Sequence, residues 1–250
     1  MSFGKPADPS STNPYAAMAQ NYVPAAQASV ADRLSFIRKT YLHLAGAVFA
    51  FVILETVLYM SFGEQIMTTV LPRLGGAMWL VVLAAFMGAS FLAQRWASSD
   101  SSRSMQYLGL GLYVLAWTAI FLPIIALADT MAPGAIQSAA IITAVVFAGL
   151  TLTVFVTQVD FSFLRTALIV GSIGAFAAIL VGILMPGLNL FGVVFAGAMV
   201  VLAAGYILYD TSNVLHHYRT DQYVAAALAL FSGVAMLFWY ILQLVMLSRD

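Results

Sequence analysis

Seven separate apolar runs leave this chain one solvent for most of its surface, the hydrocarbon of a bilayer. A spanning helix needs roughly 20 mostly apolar residues. The runs lie at about 40–60, 77–95, 105–127, 135–157, 165–185, 190–210 and 223–247. Only 8% of the residues are charged, against about 25% in soluble globular domains, so the outside cannot be solvated as a water-soluble surface is. The predicted fold class is therefore an all-α membrane protein, a bundle of seven transmembrane helices. The formal net charge of zero gives no footing for nucleic acid. With no cysteine in the chain, disulfides, thiolate metal sites and thiol catalysis are excluded.

Residues 1–32 differ from the rest, being rich in Pro, Ser, Asn, Gln and Ala, and are expected to form a disordered tail ahead of a helical domain at 33–250. Turn residues punctuate the runs: Pro72 and Gly75-Gly76, Pro133-Gly134, and Pro186-Gly187. The fifth and sixth runs together exceed one crossing, so two crossings joined at Pro186 are expected. Pro123 falls inside the third helix and is expected to kink it.

Lys and Arg predict the orientation. With the amino terminus cytoplasmic, that side holds Lys5, Arg33, Arg38, Lys39, Arg95, Arg103, Arg165 and Arg219, and the other only Arg73 and Arg249. The carboxyl terminus is then outside. Tyr41, Trp96, Tyr107, Tyr209 and Tyr218 would form the inner aromatic belt, and Tyr59, Trp79 and Trp239-Tyr240 the outer one. Small residues recur every four positions at Ala140, Ala144 and Ala148 and at Ala167, Gly171 and Ala175. Both stripes are expected to mark close packing inside the bundle.

Ionisable groups in hydrocarbon are costly, so each is a candidate functional residue. Glu55 lies near the expected outer end of the first helix and reads as an interfacial carboxylate. Asp210 falls at the expected inner end of the sixth, facing the negative end of the helix dipole. A nearby cation would favour its charged form, and Arg95, at the same depth on the second helix, is the best placed. A carboxylate balanced in this way can act as a proton-sensitive latch, whereas a solvated helix-end aspartate would do nothing. His43 is solitary, and adjacent His216 and His217 point apart, a poor ligand pair. There is no HExxH, no GxSxG and no phosphate loop. Tyr209-Asp210 lacks the second intramembrane aspartate that an aspartyl protease needs. No enzyme, cofactor or resident metal is expected.

The carboxyl-terminal third, GYILYDTSNVLHHYRTDQYVAAALALFSGVAMLFWYILQLVMLSRD, resembles the Bax inhibitor-1 family. FIRKTYLHLAGAVFA, the FLPII stretch around Pro123, and VTQVDFSFL with Asp160, Ser162 and Phe163 are similar to further marks of that family in the same order. YDTSNVLHHY and the closing Ser248-Arg249-Asp250 are most similar to its bacterial YccA branch. The resemblance implies a seven-helix bundle with helix seven at its centre and a bacterial inner-membrane location. It also implies a pH-sensing aspartate pair that, with an arginine of helix two, gates a calcium leak. Asp210 matches one aspartate and Arg95, or its neighbour Gln94, the arginine, but Gly233 stands where the second aspartate belongs.

Two functions follow as expectations. The YccA resemblance implies modulation of a membrane-anchored AAA protease of the FtsH type, engaged through the amino-terminal tail. The alternative is a pH-sensitive leak for calcium or protons, with Asp210 and Arg95 at the gate, Glu55 and Ser232 as additional candidates, and calcium as cargo. Other polar residues available to line a path are Thr143, Thr151, Thr153, Ser172 and Asn189.

Overall fold

A computed structural model gives the fold over residues 24–73, 76–98, 102–188 and 191–248. Among these residues, seven helices are long and apolar enough to cross a membrane. They are α1 (Val30–Gln65), α2 (Gly76–Ala97), α3 (Arg103–Met131), α4 (Ala135–Thr157), α5 (Leu164–Leu184), α6 (Val193–His216) and α7 (Tyr223–Leu247). The spans pair their backbone polar groups within the helix, as lipid requires, apart from the amide that Pro123 lacks inside α3. Local chemistry sets several ends. Ser29 caps α1 by accepting from the Asp32 amide at 3.2 Å, and Ser102 caps α3 by accepting from Met105 at the same distance. Gly134 precedes α4 at φ 81°, and Gln158 closes it at φ 54°. Pro186–Leu188 form a short 3-10 turn between α5 and α6, so the Pro186 region does divide two crossings.

Three expectations change in the folded chain. Order begins before residue 33: Ala25–Gln27 make a 3-10 turn, Ala25 is fully buried, and α1 starts at Val30. The rest of the expected tail, residues 1–23, lies outside the described residues, as do Gly75, Asn189, Arg249 and Asp250. Helix α1 runs on to Gln65 and then through a π-turn and a 3-10 turn to Arg73. At 36 residues it is about 54 Å long, well beyond the hydrocarbon. Helix α6 continues six residues past Asp210, because Thr211, Val214 and Leu215 extend its buried face.

Helix α7 is the axis. In its most apolar stretch 67% of residues are buried, against 6% for α2 and for α5. It packs on α1, α2, α3, α4 and α6, while α5 sits outside against α6 and touches α2 only lightly. Aromatic rings lock the centre: Phe121 meets Phe51 at 5.1 Å, Trp239 at 5.0 Å and Phe238 at 5.6 Å between centroids. Lipid tails are as apolar as these side chains, so fit rather than water exclusion decides such contacts.

Only the α5 stripe packs within the bundle, and only in part, since Gly171 and Ala175 are half-buried whereas Ala167 is exposed. Leu202 of α6 covers Gly171 of α5, and Leu168 of α5 covers Gly205 of α6. Ala140, Ala144 and Ala148 instead face outward, because α4 turns Ala135, Ala139, Thr143 and Val154 to the core. The tightest approach is between α2 and α3. A Cβ on Gly109 would stand 2.6 Å from the Ala93 carbonyl oxygen and 2.6 Å from the Ala97 nitrogen, both backbone atoms that cannot step aside. Gly109→Ala should therefore lower the thermal midpoint in detergent, with overpacking costing about 1–3 kcal/mol. Gly111→Ala, with nothing within 4 Å of its added methyl, should leave the midpoint unchanged or raise it. An equal response of the two variants would contradict this packing.

Candidate functional site

The site grows from helix periodicity. On α6, Tyr206 and Asp210 are four residues apart and share one face. On α7, Ala225, Ala229, Ser232, Gly233 and Met236 recur at the same spacing. These two faces meet Ser172 of α5, Tyr113 of α3, Gln94 and Ala97 of α2 and Ser98 just after it, around a cavity of about 520 Å³. Tyr218, from the loop after α6, closes one end.

Four hydroxyls of the wall are joined in two pairs. Tyr113 donates to Ser232 Oγ at 2.8 Å, and the Tyr206 and Ser172 hydroxyls share a hydrogen bond of 2.8 Å. Asp210 makes no hydrogen bond or ion pair among the described residues, and no Lys or Arg lines the cavity. A single carboxyl thus looks into a space large enough for water, with no protein cation opposite it. It sits nearly two turns inside α6 rather than at its end, so neither the helix-end dipole nor loop solvent governs it.

Of the residues predicted for a site, Asp210 and Ser232 line this cavity, and Ser172 joins them. Arg95 does not: it is exposed and unpaired among the described residues, while its neighbour Gln94 reaches the cavity wall. Glu55 is neither here nor interfacial. It is 6% exposed on the inward face of α1, ten residues before that helix ends, and neither carboxyl oxygen has a hydrogen-bond partner. Thr143, Thr151 and Thr153 lie off the cavity on α4. Gly233 is part of the wall, and a Cβ there would come 2.9 Å from Ile207 Cγ1, so glycine allows α6 and α7 to close on each other. Tyr113, Tyr206, Tyr218 and Met236 were not anticipated. The i, i+4 spacing of Tyr206 and Asp210 was the one available signal for them.

Beneath the cavity, the loop between α6 and α7 is fastened from several sides. The Ala25 amide donates to the Tyr218 carbonyl at 2.8 Å, and Arg103 of α3 donates to the Asp221 carbonyl at 2.6 Å. Arg219 pairs with Asp221 at 2.6 Å, and its hydrogen bond holds the Asp221 carboxyl below the usual carboxylate range. Lys39 and Arg103 lie over the Tyr223 ring. Asp160, in the α4–α5 link, accepts from the Ser162 amide at 2.9 Å and pairs with His217 at 3.0 Å. The Ser162 amide chiefly, with His217, holds the Asp160 carboxyl below its ordinary value. Burial pushes the Tyr218 phenol up, and nearby Asp210 and Tyr209 push it the same way. His216 bonds the Ser212 carbonyl at 3.0 Å, and His43 bonds the Lys39 carbonyl at 2.7 Å. The histidines are thus separate structural contacts, and no group of three or more His, Cys, Asp or Glu that could hold a metal exists among the described residues.

Residues 33–250 match the protein family described as inhibitor of apoptosis-promoting Bax1. The chain is similar to Bax inhibitor 1 of Schizosaccharomyces pombe, at 26% identity over 93% of this chain and 84% of the relative. It is similar to Protein LIFEGUARD 4 of Arabidopsis thaliana, at 27% identity over 85% of this chain and 84% of the relative. An uncharacterized membrane protein of Vibrio cholerae is 29% identical over 45% of this chain and 49% of its own length.

The Asp160 contacts have a defined pH signature. A carboxyl whose folded pKa is depressed stabilises the fold above the ordinary carboxylate value of about 3.9 and loses that contribution as pH falls through the folded value. Asp160→Asn should lower stability at neutral pH and flatten the acid limb of the stability profile. Because the Asp160 side chain is 43% exposed, screening should keep the loss below about 1 kcal/mol. Chemical unfolding in detergent at neutral and acid pH measures both. An acid limb unchanged in the variant would show that the link does not depend on this carboxylate.

Proposed function

The chain belongs to the Bax inhibitor-1 family, and on that footing we propose that it is a multi-pass membrane protein that passes cations slowly, calcium or protons, through the cavity around Asp210. The observation that carries this reading is a lone carboxyl facing a cavity without a protein cation. Negative charge in a low-dielectric space attracts a cation, and protonation of the same carboxyl removes the attraction. A proton-sensitive leak therefore needs only Asp210, with Tyr113, Tyr206, Ser172 and Ser232 supplying oxygen atoms along the wall. The glycine at 233 means that no second carboxyl shares the proton, so the response to pH is that of one group. Arg95, exposed on α2, is not a required part of this gate; Gln94 is the α2 residue at the wall. The reading is non-enzymatic, because a solitary carboxyl has no partner acid or base beside it.

The second reading is modulation of an FtsH-type AAA protease in a bacterial inner membrane. What favours it is where the tail joins the bundle: Pro24 and Ala25 meet Tyr218 and Arg219 on the face that carries most of the Lys and Arg residues. By the positive-inside rule that face is cytoplasmic, where an ATP-driven unfoldase would engage a segment. Deleting residues 1–23 should abolish protection of protease substrates and leave cation flux unchanged.

The leak is tested in liposomes by recording calcium and proton flux from pH 6 to pH 8. Wild type should show flux that changes with pH, and Asp210→Asn should lose that dependence and most of the flux. Arg95→Gln should resemble wild type. Background flux in wild type and in Asp210→Asn alike would overturn the reading.

A further inference from the structure

A second cavity, of about 430 Å³, lies in the other half of the bundle between α2, α3, α5, α6 and α7. Trp79, Phe86, Trp117 and Trp239 dominate its wall, with Tyr240 and Gln243 adding polar atoms toward the far end of α7. The two cavities follow one another along α7. The first takes Ala225, Ala229, Ser232 and Gly233, the second takes Trp239, Tyr240 and Gln243, and Met236 alone belongs to both. On α2 the order is the same in reverse, with Trp79 and Phe86 in the second cavity and Gln94 and Ala97 in the first. Between them the cavities run nearly the length of both helices. The space exists because α2 packs closely on α3 and α5 on α6, while α2 and α5 touch only lightly.

We propose that Met236 is the barrier of this pathway, a thioether side chain that separates a polar vestibule holding Asp210 from an aromatic vestibule open toward the opposite face. This rests on the leak reading above and adds the residue that limits it. An apolar constriction stops ions by excluding water, so a short dry segment suffices to keep a leak slow. Methionine suits the position physically. It is unbranched, with three rotatable bonds, and can swing aside without moving the helix that bears it. Helix α7 itself is held on five sides and is poorly placed to move. Asp210 would then draw the cation to one side of the barrier, and Met236 would set how often it crosses.

Because the chain has no cysteine, a Met236→Cys variant carries a single thiol. The experiment uses the full chain inserted in one orientation in vesicles, with a membrane-impermeant cationic thiol reagent supplied from one side or the other. Val201→Cys, 72% exposed on the outer surface of α6, is the lipid-facing control, and Ser98→Cys marks the first vestibule. The barrier predicts that Met236→Cys is modified from both sides, Ser98→Cys from its own side, and Val201→Cys from neither. Met236→Ala should raise cation flux several-fold over wild type, and Met236→Trp should reduce it to background. Modification of Met236→Cys from one side alone or from neither overturns the barrier, as does a Met236→Ala flux equal to that of wild type. The leak reading fails separately, by background flux in wild type. In that case the barrier stands only if Met236→Ala opens a flux and the thiol is reached from both sides.

Discussion

Inside hydrocarbon no water is present to satisfy an unpaired backbone amide or carbonyl, and the whole molecule is arranged around that constraint. Each of the seven spans keeps its own backbone bonds, which leaves side-chain fit to decide how the spans assemble. In this bundle α7 takes the centre, with 67% of its most apolar stretch buried. Its Ala and Gly positions, Ala225 to Ala227, Gly233 and Ala235, admit neighbours closely, and its rings at 231, 238 and 239 fill the gaps that remain.

The same packing creates the cavity. Close pairing of α2 with α3 at Gly109, and of α5 with α6 through Leu168 and Leu202, draws these helices into two pairs on one side of α7. The pairs do not close fully on each other, and polar side chains from five helices collect in the space between. Gly233 brings α6 and α7 together at Ile207, in the wall that Asp210 and Ser232 also line, and adds no carboxyl of its own.

The loop that floors the cavity is restrained more heavily than a connector of its length requires. Backbone from Ala25, side chains from Arg103 and Asp160, and the internal Arg219–Asp221 pair all converge on residues 217–221. Each exposed contact is weak by itself. Together they hold Tyr218 at the end of the cavity and tie the first described residues of the chain to the helix that carries Asp210.

The amino-acid sequence by itself determined the class of molecule: seven crossings, an all-α bundle, the division at Pro186, and two carboxyls, Glu55 and Asp210, within the spans. These are legible because length, apolarity and charge are local properties that lipid judges one span at a time. What only the tertiary structure decided is which residues share a space. Residue spacing placed Arg95 level with Asp210, but the rotation of α2 about its axis turns Gln94 to the cavity and Arg95 away. Glu55 read as interfacial because α1 reads as ending near residue 60, whereas the helix continues and buries it. The two small-residue stripes look alike in sequence, yet Ala140, Ala144 and Ala148 are exposed while Gly171 packs under Leu202 of α6. The reason is common to all three cases. Helical position along the membrane normal can be read from one segment, but azimuth is set by neighbours, and neighbours are chosen by the packing of the whole bundle.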